Sequence, residues 1–251
     1  MSYDHLFVGA PRGTSCPKTV LLFTEKLKHM GIFRGGRLLG VGCGDGTFTR
    51  ALSAGFRECY GIDVQDYYLE EFRSQTMTAP KGKFTIQKMN AANMTFPDAF
   101  FDVVVSIETL EHVPELAASS REIARVLKPG GQLLLTVPNR WFPFENHGAK
   151  IGPLQLGRVP LLPYFPFLHR RFALARVFTL RDLRRLFEPL GFSLKCVDYA
   201  WPTFEHRGNA LQPFLRLLFP WMRKLENSVF RFFGSSVLVC FIKNTPAQTP
   251  F

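Results

Sequence analysis

The chain has 251 residues, 46% of them hydrophobic and 20% charged, which excludes a disordered chain and leaves room for a substantial buried core. Lys and Arg number 31 against 20 Asp and Glu, a formal charge of +11; such an excess points to an anionic partner, whether membrane surface, acidic substrate or nucleic acid. The five cysteines, Cys16, Cys43, Cys59, Cys196 and Cys240, have neither paired nor metal-binding spacing and read as reduced thiols. Residues 1–13 lack the basic-then-apolar layout of a secretory signal, and no run of about 18 apolar residues is present to span a bilayer. The expected setting is therefore cytoplasmic, with peripheral membrane association open.

In chain order, Leu38–Val41 is a short apolar strand running into glycines, and Thr47–Ala54 reads as a helix. Glu58–Ile62 is a second strand stopped by Asp63, a helix follows over 66–76, and Phe84–Gln87 is a third strand. Asp102–Ser106, with three consecutive valines, reads as a strand buried on both faces. Ala117–Leu127 is a helix stopped by the turn Lys128-Pro129-Gly130-Gly131, and Gln132–Val137 is the fifth strand. Strands spaced by helices predict an α/β fold: a Rossmann-like, doubly wound sheet of seven strands, mostly parallel, with an antiparallel last strand.

Residues 141–178 break the rhythm. Five prolines are mixed with Trp141, Phe142, Phe144, Phe165 and Phe167, which predicts a functional lid rather than a plain connection. Thr179 then caps a helix through Leu190, Phe192–Asp198 is a strand, and Ser236–Lys243 is the last strand. Between them, residues 208–233 carry Leu211, Leu218, Leu225 and Phe232 at seven-residue steps, an apolar stripe suited to a membrane-interface helix or to packing on the core. Residues 1–251 are thus read as one domain with two insertions, 141–178 and 208–233. The charge is uneven along it: residues 1–150 carry 17 basic and 15 acidic side chains, residues 151–251 carry 14 and 5.

The sharpest signal is Gly40-Val41-Gly42-Cys43-Gly44-Asp45-Gly46 immediately after the first strand. A strand entering a helix through such a turn lets backbone N–H groups approach a ligand closely, and Asp63 ends the second strand where a carboxylate can accept both hydroxyls of a ribose. The segment Leu38–Arg50, LLGVGCGDGTFTR, resembles the first motif of the class I S-adenosylmethionine-dependent methyltransferases. Tyr60–Asp63, Phe101–Pro114 (FDVVVSIETLEHVP) and Leu127–Pro138 (LKPGGQLLLTVP) resemble three further motifs in order and spacing. The resemblance implies that Gly42, Cys43 and Gly44 pass beneath the methionine part of S-adenosylmethionine. It also implies that Asp63 binds the ribose, Val64 and Ala91 flank the adenine, Asn90 accepts from the adenine amino group, and Ile107 with Glu108 lines the mouth. Two positions depart from the family pattern: Gly40 stands where an acid is usual, and Asn90 replaces a second one.

For the acceptor, Glu111, His112 and His147 are the candidate catalytic groups, with Glu108 and Glu145 beside them. Glu108-x-x-Glu111-His112 is similar to the same stretch of ubiquinone-biosynthesis O-methyltransferases, in which it is linked to a divalent metal and phenol activation. A structural role for this loop is the competing reading, and no metal is assigned to the site. The expected reaction is methyl transfer to a small or lipid-linked acceptor at oxygen, with an anionic membrane as a candidate partner. The basic C-terminal part keeps RNA or protein methylation open, although Ser106-Ile107-Glu108-Thr109 stands where an NPPY-type amine motif would be. Gly40 and Asn90 keep open a catalytically degenerate binding protein of the same fold, with no cofactor affinity or with affinity but no turnover.

Overall fold

The computed structural model describes residues 17–31, 34–202, 224–226 and 228–245. Helix α1 (Pro17–Met30) precedes strand β1 (Gly35–Val41), followed by α2 (Thr47–Leu52), β2 (Phe56–Asp63), α3 (Asp66–Gln75) and β3 (Phe84–Lys88). Then come β4 (Phe101–Ile107), α4 (Leu116–Val126) and β5 (Leu127–Pro138). After an excursion described below, α6 (Leu180–Phe187), β10 (Phe192–Ala200) and β11 (Ser236–Lys243) complete the sheet. The strand order is β10-β11-β5-β4-β1-β2-β3. β5, β4, β1, β2 and β3 are parallel, while β11 runs antiparallel to both β5 and β10. This is the expected doubly wound arrangement.

Alternation along the strands separates two apolar layers. Leu39 and Val41 of β1, Val104 of β4 and Leu133, Leu135 and Val137 of β5 pack with Ile123 and Val126 of α4 and Leu183 and Phe187 of α6. Leu38, Val103, Val105 and Leu134 point the other way, onto Phe23, Leu27 and Met30 of α1 and Leu52 of α2. Helix α1 has no counterpart in the sequence reading, because its 14 residues carry no N-terminal acid and only a loose apolar stripe. The Lys128–Gly131 segment, expected as a turn, is instead drawn into β5. Phe101 pairs with Leu127 and Val103 with Gln132, so the extra residues are absorbed as an irregularity in the β4–β5 ladder. Thr179 caps α6 as expected, accepting from Asp182 N while Asp182 accepts from the Thr179 N–H.

Residues 139–178 leave the sheet at Pro138 and return to it. Strand β6 (Phe144–Glu145) pairs with β9 (Val159–Pro160), β7 (Ala149–Ile151) pairs with β8 (Leu154–Leu156), and α5 (Pro166–Phe172) follows. The root is closed by Arg140 N donating to Phe178 O and Phe178 N donating to Pro138 O, both at 2.9 Å. Arg176 N donates to Glu111 O at 3.1 Å, and its guanidinium donates to Val113 O and Pro114 O, which ties the excursion to the loop after β4. Most of the 208–233 stripe lies outside the described residues. Its last part forms a 3-10 turn over Val229–Phe233, held by the Asn139 amide donating to Phe232 O and Gly234 O at 2.7 Å.

Candidate active site

Because β1 leads to β2 and β3 on one side and β4 lies on its other side, the strand order reverses at β1. In open α/β sheets, ligands bind in the crevice outside the carboxyl ends of the strands at such a switch point. The glycine turn sits there. Gly42, Gly44 and Gly46 have φ of 62°, 52° and 77°, backbone conformations that other residues adopt only at a cost. A Cβ on Gly42 would overlap the Thr109 side chain and one on Gly46 the Phe72 ring, whereas the same position on Gly44 meets nothing within 4 Å. The turn is therefore packed tightly behind and open at Gly44.

Asp63 holds this turn in place. Its Oδ2 accepts from Gly44 N and its Oδ1 from Gln65 N, each at 3.0 Å. Each carboxylate oxygen keeps a further lone pair for a ribose hydroxyl. Val64 next to it is 39% exposed, an apolar surface available to a base. Asn90 is exposed, and its Oδ1 accepts from Ala92 N at 2.9 Å, which fixes the amide while leaving one acceptor site; Ala91 is buried beneath it. Burial pushes the Cys43 thiol far above its ordinary range, consistent with packing rather than nucleophilic chemistry. The unusual Gly40 has a structural reason: a Cβ there would overlap Oγ1 of Thr49, a buried residue of α2. Thr49 fills the space that an acidic side chain at position 40 would need.

The second half of the site is built on the loop after β4. Glu108 has φ 49°, a left-handed backbone that costs about 1–2 kcal/mol for a residue with a Cβ. It is held there by its N–H donating to Thr136 O and Oγ1 at 3.0 and 3.1 Å. Thr109 Oγ1 donates to Gly42 O at 3.2 Å, joining this loop to the glycine turn. Glu111, in the single 3-10 turn that follows, is fully buried. Among the described residues neither of its carboxylate oxygens has a hydrogen-bond partner.

His147 reaches this loop from the lid. Its Nε2 lies 3.6 Å from Glu111 Oε1 and 4.0 Å from Glu108 Oε2, and its Nδ1 lies 3.7 Å from Glu145 Oε1. Behind it, buried Glu145 is anchored by His169 Nε2 at 2.7 Å and accepts from His147 N at 2.8 Å. Burial disfavours the imidazolium, but the facing carboxylates of Glu145, Glu111 and Glu108 override it and raise the His147 pKa to about 9. Burial likewise opposes ionisation of Glu145, yet the two histidines hold its pKa near 2. Glu111 goes the other way: burial and then the neighbouring Glu108 drive its pKa well upward, against the opposing charge of His147. Glu111, His112 and His147 each offer one atom within 4.8 Å of the others, close enough to share a divalent cation.

The structure thus brings Glu108, Glu111, His112 and His147 together, and sets them beside the turn that holds Gly42, Cys43, Gly44 and Asp63. It adds His169, whose sequence neighbours Arg170 and Arg171 are exposed while its own side chain is buried against Glu145. Glu145 and His169 are 24 residues apart, and no local pattern links them. An open Gly44 and a carboxylate at the end of β2 with a free lone pair on each oxygen fit a ribonucleoside, so the residues present suit S-adenosylmethionine.

The methyltransferase-domain family matches residues 39–135. The chain is 35% identical over 115 residues to a 27-O-demethylrifamycin SV methyltransferase of Amycolatopsis mediterranei, covering 45% of this chain and 42% of that protein. It is 34% identical over 113 residues to a ubiquinone biosynthesis O-methyltransferase of Idiomarina loihiensis, covering 44% and 45%. The chain spans about half the length of the curated relatives it matches. Among solved structures, an S-adenosylmethionine-dependent methyltransferase from Mesorhizobium loti superposes with a TM-score of 0.59 at 19% identity, covering 87% of this chain and 96% of that one. The cyclase SpnF superposes with a TM-score of 0.63 at 18% identity, covering 96% and 87%, so the fold alone does not fix the reaction. The matched stretch contains the glycine turn, Asp63 and the whole loop after β4, so it is in residues 39–135 that the chain resembles a methyltransferase domain.

Proposed function

We propose that this protein transfers the methyl group of S-adenosylmethionine to an oxygen of a small, apolar or lipid-linked acceptor, with a phenolic hydroxyl the best fit. The observation that carries this reading is the seating of His147, delivered by the lid between Glu108, Glu111 and Glu145. Two relatives named as oxygen methyltransferases support it. We read the chain as one domain whose 141–178 insertion is the lid, working in a cytoplasmic setting with its cysteines reduced.

S-adenosylmethionine, when bound, supplies an electrophilic methyl on a positively charged sulfur. The chain has to hold that group, align the acceptor and exclude water. Asp63 would receive the ribose hydroxyls, Val64 and Ala91 would flank the adenine, Asn90 would meet its edge, and Gly42 to Gly44 would hold the amino-acid part. Ile107 lines the mouth. The acceptor hydroxyl gives its proton to the Glu111–His147 pair as its oxygen bonds to the methyl carbon and the carbon–sulfur bond breaks. Ionised Glu145 keeps the ring oriented from the Nδ1 side. With a pKa of about 9 the His147 ring holds a proton at pH 7, so the pair takes up the acceptor's proton only in its deprotonated fraction and the rate should rise with pH towards 9.

The test is His147→Ala, assayed with a panel of catechols and lipid-linked phenols. The rate constant should fall about 100-fold or more while S-adenosylhomocysteine affinity, read by calorimetry, is unchanged. A variant that keeps the wild-type rate, or folded protein that binds no S-adenosylhomocysteine, refutes the reading. The Glu111–His112–His147 grouping favours a second reading with a divalent cation between them. Rate lost on chelation and restored by magnesium selects that one; a rate indifferent to chelation selects the proton transfer described here.

A further inference from the structure

The lid that carries Glu145 and His147 inward carries a different set of residues outward. Strand β6 shows this in two residues: Glu145 is buried and Phe144 exposed, the alternation that an extended strand imposes. Among the described residues 16 large hydrophobic side chains are exposed, and nine of them lie between 141 and 168. Trp141, Phe144, Leu161, Phe165, Phe167 and Leu168 form the bulk of this set, and Phe167 is 67% exposed. Scattered exposed apolar residues are ordinary; a concentration of this size around the mouth of a site marks an interaction surface. Leu161 adopts φ 60°, a conformation unfavourable for leucine, and in it the side chain is 52% exposed rather than tucked into the core. The 3-10 turn carrying exposed Phe230 and Phe232 is bonded to Asn139 at the root of the lid, which extends the same rim.

The charge around this rim has one sign. Between residues 139 and 178 the chain has six Lys and Arg and a single acid, Glu145, and that acid is buried against His169. Lys150, Arg170 and Arg171 are exposed beside the apolar residues. Aromatic and aliphatic side chains flanked by cations, with no exposed carboxylate between residues 139 and 178, match an interface whose interior is apolar and whose surface is anionic. A protein partner would more often call for charges of both signs on the rim.

We infer that the outer face of the lid, centred on Phe165, Phe167, Arg170 and Arg171, docks onto an anionic phospholipid bilayer and opens the site mouth towards it. This extends the acceptor reading above and rests on it only for the role of the docked state; the docking surface itself stands on exposure and charge. The expected occupant is the lipid surface as a whole, not a bound lipid molecule.

The experiment uses the full chain and sedimentation with vesicles of phosphatidylcholine alone or mixed with phosphatidylglycerol. Wild type should partition onto the mixed vesicles and far less onto the neutral ones, with partition falling as salt is raised. The double variant Arg170→Gln/Arg171→Gln should weaken partition about 30-fold, from about fivefold for each cation near an anionic surface. Phe165→Ser/Phe167→Ser should weaken it on both vesicle types. Both variants should keep S-adenosylhomocysteine affinity and the wild-type melting temperature, so a failure of docking is distinguishable from a failure of the methyltransferase reading. Equal binding by wild type and both variants, or no binding by folded wild type, overturns the inference. So does light scattering that shows a wild-type dimer dissociated by the Phe variant with vesicle binding unaltered, which would make the face a self-association surface.

Discussion

Replacing Glu145 by Gln keeps the shape of the side chain and removes a charge clamped between two histidines. The folded carboxyl titrates near 2 against an ordinary 4.5, so ionised Glu145 contributes stability that is complete above pH 4.5 and disappears as pH falls through 2. The full contribution is about 3 kcal/mol at neutral pH. The same relation leaves only about 1 kcal/mol at pH 3. Its scale agrees with the roughly 3–5 kcal/mol lost when one partner of a buried ion pair is removed. Urea denaturation of wild type and Glu145→Gln, followed by tryptophan fluorescence at pH 7 and pH 4, measures the gap at both. The expected result is a gap of about 3 kcal/mol at pH 7 that narrows towards pH 4. A gap below about 1 kcal/mol, or one that widens as pH falls, refutes the assignment of Glu145 as an ionised anchor.

Asp63→Ala removes the acceptor of Gly44 N and Gln65 N together with the proposed ribose contact. Calorimetry should show S-adenosylhomocysteine binding weakened about 10- to 100-fold, the equivalent of one charged hydrogen bond, and unchanged affinity would remove Asp63 from the site. Gly40→Ala places a methyl against Thr49 Oγ1 in a buried position and should destabilise the protein by about 1–3 kcal/mol in urea denaturation. Gly40→Ala/Thr49→Ala should recover most of that loss, and a double variant no better than the single one would show that Thr49 is not what excludes a side chain at position 40.

Much of the nucleotide half of this site is legible from the chain because its geometry is local. The glycine turn, Asp63 and the strand ends lie within a few residues of the strands that position them, and alternating or continuous apolar runs mark those strands. The acceptor half was legible only as residues. Glu111 and His147 are evident candidates, but their approach depends on a lid that departs and returns through Arg140, Arg176 and Phe178, contacts with no periodicity to betray them. His169 reads as surface because it stands in His169-Arg170-Arg171, a run that looks solvated; one turn of helix puts it inward and its neighbours outward. Gly40 reads as a lost acid until Thr49, nine positions later, is seen in the same space. Lys128-Pro129-Gly130-Gly131 has turn chemistry, yet pairing with Phe101 draws it into the sheet.

The place of β11 in the sheet has a consequence for how the chain is made. It lies between β5 and β10, although it is synthesised after both. Until residues 236–243 emerge from the ribosome, β10 has no strand to join. The flank of β5, whose residues Gln132 to Pro138 are all buried in the finished protein, stays open as an apolar edge that invites pairing with another chain. Nascent chains stalled before β11 should therefore be the species most dependent on chaperones, and residues far from the glycine turn would decide how much usable enzyme a cell obtains.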